Sequence, residues 1–239
     1  MLLWLKRLFA SKKRLVGSPH FDQAPWRTLD ISGTVVRFKN PPKSVRIANR
    51  HWPEKVDLYE EDYKEWPDGE GLSKHIFKNF WSYYDHLLWG EGHVGSCSIS
   101  ISIQRRAPHN WSIRSMLHPK DCRSWILSRR KKKVDEFDFK TPLTNDDLDR
   151  ICVNDHYLYK ERTYRGNRGW YEKYHTPLSD DHLLTFYFNP GSNQSLVNDE
   201  DNLEAEVENT IQSFMENLHI TLSPDTQKRI EVLKRNESV

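Results

Sequence analysis

Cysteine is scarce in this chain of 239 residues: Cys97, Cys122 and Cys152 lie far apart, with no Cys-x-x-Cys pair. An odd count without that spacing argues against a disulfide framework and a structural zinc site, so a reducing cytoplasm is the expected compartment. Cys97 and Cys152 fall in apolar, strand-like runs, where a free thiol behaves as a small hydrophobe. No apolar run is long enough to span a bilayer. Walker and dinucleotide glycine loops are missing. Gly90-Glu91-Gly92-His93-Val94-Gly95 comes before a strand rather than after one, the wrong context for a phosphate cradle. No Gly-x-Ser-x-Gly elbow occurs. The eleven histidines make no His-x-His or His-Glu-x-x-His pattern. His86 and His93, with Asp85 and Glu91, straddle a glycine-rich break. Asp155 and His156 are neighbours in a strand and point to opposite faces. No catalytic set, metal or cofactor is expected from these patterns.

Only 36% of the residues are apolar and the mean hydropathy is −0.83. Nine Trp, ten Tyr and ten Phe offset that polarity, because each aromatic buries a large area. A wholly disordered chain is poor in aromatics, so a packed domain is expected. The net charge of +2 says little about partners, but its distribution says more. Residues 104–133 hold ten Lys or Arg against one acid, and residues 199–208 hold six acids and no base.

Residues 1–16 contain five bases and no acid. As a helix they place Leu2, Leu5 and Phe9 on one side with Trp4, Leu8 and Leu15 beside them, and Lys6, Lys12 and Lys13 largely opposite. That is the profile of an interfacial helix, with Trp4, Leu5, Leu8 and Phe9 as membrane contacts. A terminal helix docked on its own domain is the competing reading. Residues 17–26 have the composition of a linker, 27–223 read as one domain, and 224–239 read as a polar tail with at most one short helix.

Within the domain, residues 28–38 are rich in β-branched residues, with Gly33 as a bulge candidate. Short strands are expected at 44–48 and 56–59. Residues 72–89 are ambiguous; Leu72, Ile76 and Phe80 follow helical spacing. Residues 94–104 alternate cleanly, Cys97, Ile99, Ile101 and Ile103 against Ser98, Ser100 and Ser102. Serines on the second face suggest that it is covered. A helix or two is expected over 112–133, an edge strand at 134–141, and either one long strand or a hairpin over 151–164, with Asn154-Asp155 as the break or bend. Strands follow at 170–175 and 182–188. Leu203, Val207, Ile211, Phe214 and Leu218 then form a helical stripe, and a short strand closes at 219–222. The expected class is α+β, a mostly antiparallel twisted sheet packed by helices.

The succession Trp170-Tyr171-Glu172-Lys173-Tyr174, Thr176-Pro177-Leu178-Ser179, residues 183–188, Ile211-Gln212-Ser213-Phe214 and Leu218-His219-Ile220 resembles the end of PsbP-like α/β/α sandwich proteins and of bacterial toxin-immunity proteins. It covers about 50 residues as a pattern of elements. The resemblance implies a non-enzymatic scaffold that binds another protein, as an inhibitor or immunity-type protein. Tyr164, Arg165, Arg168 and Trp170, around a hairpin loop, supply residue types common at interfaces. Tyr157, Tyr159, Tyr171 and Tyr174 are further aromatic candidates. The alternative is a binder of nucleic acid or an anionic membrane surface. It would use Arg105, Arg106, Arg129, Arg130, Lys131, Lys132 and Lys133, interleaved with Trp111 and Trp125, together with the N-terminal helix. The expected location is the cytoplasm, with peripheral contact at the inner membrane under that alternative.

Overall fold

Alternation and helical spacing become, among the described residues, two sheets and four helices in a computed structural model. It describes residues 3–43, 52–67, 69, 71–90, 92–107, 114–134, 148–164, 169–192 and 202–237. The first half runs α1 (Leu3–Arg7), β1 (Trp26–Ile31), β2 (Thr34–Lys39), β3 (Lys55–Val56), β4 (Lys64–Glu65), β5 (Gly71–Tyr84), β6 (His93–Arg106) and α2 (Pro119–Val134). The second runs β7 (Asp149–Val153), β8 (His156–Tyr164), β9 (Trp170–Pro177), β10 (His182–Ser192), α3 (Leu203–Glu216), β11 (Leu218–Thr221) and α4 (Pro224–Glu237). The order is β11-β2-β1-β3 in the small sheet and β4-β5-β6-β10-β9-β8-β7 in the large one. Both are antiparallel except where β1 meets β3. The class is α+β.

The alternation in β6 does what its pattern demands. Cys97, Ile99, Ile101 and Ile103 are fully buried. They share one buried cluster with Leu29, Val36 and Phe38 of the small sheet, Phe186 and Phe188 of β10, and Leu203, Val207, Ile211 and Phe214 of α3. The serine face is partly covered: Cys122, Trp125 and Ile126 of α2 form a second buried cluster with Tyr159 and Leu183 on that side.

Several expectations need correction. Residues 72–89 begin as strand, not helix; β5 pairs along β6. Its register shifts between His75 and Phe77, so Ile76 and Phe77 are both buried, and this bulge hides the alternation. Gly33 is no bulge. Ser32 (φ 45°) and Gly33 (φ 84°) form the two-residue turn between β1 and β2. The N-terminal helix stops at Arg7, and Val16 exchanges backbone hydrogen bonds with Tyr84 at 2.8 Å each. Residues 17–26 are not a free linker, because Phe21 packs edge-on against Trp81 and Phe214. The tail, where the sequence allows one short helix, does form helix α4, held where the Thr226 hydroxyl donates to the Leu178 carbonyl at 2.6 Å. The expected strand at 44–48 lies outside the described residues, as does the edge strand expected at 134–141 apart from Val134, which ends α2.

Candidate functional site

A two-residue turn joins β7 to β8. Asn154 (φ 45°) and Asp155 (φ 65°) both take the left-handed conformation that such hairpins require. The turn sets the register: Arg150 stands opposite Tyr159, and Cys152 opposite Tyr157. These four residues therefore share the face on which α2 lies. The Arg150 guanidinium sits 4.0 Å from the Tyr157 ring centre, and Arg123 of α2 sits 5.6 Å from that of Tyr159. The result is a ladder, Arg123–Tyr159–Arg150–Tyr157, running from the helix to the sheet edge. Its inner end is fixed, with Tyr159 buried and Arg123 donating to the Leu148 carbonyl at 3.5 Å. Burial raises the Tyr159 phenol pKa, while Arg123 and Arg150 draw it back. Its outer end is open, with Tyr157 54% exposed. Rigid Tyr planes backed by guanidinium groups suit an anionic or hydrogen-bonding partner.

The basic segment spans the end of a strand and a helix. Arg105 and Arg106 are successive strand residues and face opposite ways. Arg106 is paired with Asp181 at the start of β10. Helix α2 starts beside them, where the Met116 N–H donates to the Asp180 carbonyl at 2.8 Å. Arg129, Arg130, Lys131, Lys132 and Lys133 occupy its C-terminal half. At about 1.5 Å per residue the helix carries them well away from Arg106.

The proposed hairpin-loop patch also divides. Tyr164 is exposed, but Trp170 is 2% exposed; its indole N–H donates to Glu204 at 2.9 Å. Trp170 is therefore a core residue, corrected from a contact residue. Strand alternation turns it toward α3, whose acids accept its one polar atom. Arg165 and Arg168 lie outside the described residues. Among the membrane candidates, Trp4 and Phe9 are exposed, while Leu5 and Leu8 are partly buried.

Two interior polar networks escaped the sequence reading. His175 lies 2.9 Å from the Thr185 hydroxyl through Nδ1 and 3.2 Å from Glu161 through Nε2. This carboxylate–imidazole–hydroxyl line has the order of a proton relay. All three side chains are buried, so it ties β8, β9 and β10 together from within. On the opposite face Glu172 receives Arg162 at 2.6 Å, Lys160 at 3.2 Å and the Tyr174 hydroxyl at 2.6 Å. His156 is close to Thr176, at 2.7 Å, and burial lowers its pKa. Cys97 and Cys122 are buried, and burial raises both thiols far above the thiolate range. Cys152 is exposed, contrary to the expectation that it is buried. Among the described residues no group of three His, Cys, Asp or Glu is arranged to hold a metal.

Arg150 is the residue the sequence reading passed over. Its signal was present: once Asn154-Asp155 is a two-residue turn, counting outward puts Arg150 opposite Tyr159. No family model, curated protein or solved structure matches the chain.

Proposed function

We propose that this chain is a protein-binding module whose partner presents an acidic surface to the β7–β8 edge. The observation that carries this reading is the Arg150–Tyr157 stack at 4.0 Å on an exposed face. Tyr and Arg are the residue types on which binding energy concentrates, and a stacked pair loses little conformational freedom when a partner arrives. Complementary charge would speed and orient the encounter. The resemblance of the closing third to PsbP-like and immunity-type proteins supports a binding role, with inhibition as its finer form when the partner is an enzyme. On this reading residues 27–223 act as one domain, in a cytoplasmic protein.

Affinity capture with the full-length chain and with an Arg150→Ala/Tyr157→Ala variant, each with and without nuclease, tests the reading. The expected result is one stoichiometric protein that survives nuclease and is lost from the variant, while the variant's thermal melting is unchanged. Equal retention by both baits would refute it. The same alternation of cation and ring also suits stacked bases. Nucleic acid captured by the wild-type chain, with affinity falling steeply in salt, would assign the ladder to that second reading.

A further inference from the structure

The connection between β5 and β6 exposes two of the largest apolar side chains on the molecule, Leu88 (67%) and Trp89 (85%). Their backbone is built rather than loose. The Leu88 and Trp89 N–H groups donate to His86 Nδ1 at 3.1 and 3.2 Å, and the His86 ring stacks on Trp89. Asp85 closes the turn by accepting the Gly92 N–H at 2.8 Å. A Cβ at Gly90 would lie 2.2 Å from that carboxylate, so any larger residue there would displace the Asp85 side chain from the turn.

Helix α1 is fastened to the same connection. The Leu87 N–H donates to the Arg7 carbonyl at 3.1 Å, Arg7 Nε donates to the Asp85 carbonyl at 3.2 Å, and the Arg7 guanidinium lies over Tyr84. The exposed residues of α1 and the turn after it, Leu3, Trp4 and Phe9, therefore stand on backbone adjoining Leu88 and Trp89. Five bases, Lys6, Arg7, Lys12, Lys13 and Arg14, accompany them, and residues 1–21 contain no acid. Asp85 is buried within the turn, and Glu91 lies outside the described residues. The start of α3 also reaches this segment, where the Asn202 N–H donates to the Lys12 carbonyl at 2.9 Å, but its acids Glu204 and Glu206 are engaged by the Trp170 indole and the Ser18 hydroxyl.

From this juxtaposition we propose that the α1 segment and the β5–β6 connection form a two-part wedge that docks on an anionic lipid surface. Charge complementarity selects that occupant. A row of bases beside exposed Trp, Phe and Leu is the arrangement that inserts shallowly at a headgroup boundary. A helix of five residues is too short to do this alone, so the wedge depends on the connection that the fold brings beside it. Contact is peripheral: among the described residues no helix is long and apolar enough to cross a membrane. This surface is distinct from the ladder, and the wedge stands or falls without it.

Sedimentation of the full-length chain with vesicles of phosphatidylcholine, and of phosphatidylcholine mixed equally with phosphatidylglycerol, provides the test. The expected result is binding to the anionic vesicles only. Phe9→Ser/Trp89→Ser and Lys13→Glu/Arg14→Glu should each lower the partition coefficient about tenfold or more, with melting curves unchanged. No binding of the wild-type chain would overturn the proposal. So would binding that responds to the charge variant alone, because charge without insertion would then suffice. Normal vesicle binding by Phe9→Ser/Trp89→Ser together with loss of a captured protein would reassign the surface to a protein partner.

Discussion

The ring of Phe214 lies 5.4 Å from that of Phe38, which joins helix α3 to the small sheet. It lies equally far, 5.4 Å, from Phe188 of the large sheet, with Phe21 and Phe186 at 6.2 Å. One side chain thus touches both sheets and the segment between α1 and β1. Phe214→Ala should destabilise the protein by about 3–5 kcal/mol, because four rings lose a shared neighbour and cannot all collapse inward. Denaturant unfolding measures this. A loss below 1 kcal/mol would mean the two sheets do not share this core.

Arg162 faces Glu172, Glu208 and Trp170 together. Its guanidinium is 2.6 Å from Glu172, 2.8 Å from Glu208 and 4.1 Å from the Trp170 ring centre. Burial alone would lower its pKa, but the two carboxylates more than reverse this and keep it charged. Arg162→Met leaves the buried Glu172 carboxylate with Lys160 and the Tyr174 hydroxyl alone. The expected loss is about 3 kcal/mol by equilibrium unfolding, with partial recovery in Arg162→Met/Glu172→Gln. A neutral Arg162→Met would show that the pair contributes nothing.

His182 titrates well below its ordinary value. Burial, then the charge of Arg105, pushes it from 6.5 down to about 4. The folded state thus prefers the neutral ring, and the unfolded chain binds the proton first as pH falls. Stability from this group is complete above about pH 6.5, declines between 6.5 and 4, and is level below. A shift of that size corresponds to about 3 kcal/mol. His156, lowered by burial, adds in the same direction. His182→Gln should shrink the stability difference between pH 7 and pH 4 by about that amount. An unchanged difference would place the titration elsewhere.

Gly17 has φ 112°, and a Cβ there would lie 2.2 Å from the Ser82 carbonyl oxygen. Both conformation and space require glycine. Gly17→Ala should cost about 2–5 kcal/mol. Gly33 (φ 84°), whose nearest neighbour to a Cβ would be Ser223 at 3.4 Å, serves as control. Gly33→Ala should cost about 1–2 kcal/mol, since only conformation is strained there. Equal effects in thermal melts would refute the close approach of residues 16–17 to β5.

Local pattern was sufficient where one face of one element met the core. The α3 stripe, the alternation of β6, the β7–β8 turn and the succession β9, β10, α3, β11 follow from periods of 2 and 3.6 residues and from turn chemistry. The same local rules left β5 ambiguous, because one bulge resets its alternation, and placed Trp170 outside, because nothing local reveals the acid on α3 that accepts its N–H.

What depends on residues far apart in sequence was decided by tertiary structure alone. Ten bases lie within thirty residues, and it is the fold that divides them between a strand end and a helix and pairs Arg106 with Asp181. Conversely, Arg123 and Arg150 become one ladder only when α2 crosses β8. Helix α1 and the β5–β6 connection, far apart in sequence, are joined by the hydrogen bonds of Arg7 to Asp85 and Leu87. The sequence by itself determined the periodicities, the turns and the overall charge balance, since those are properties of neighbouring residues. The sites arise from contacts between elements, whose pairing is selected by burial summed over the whole chain.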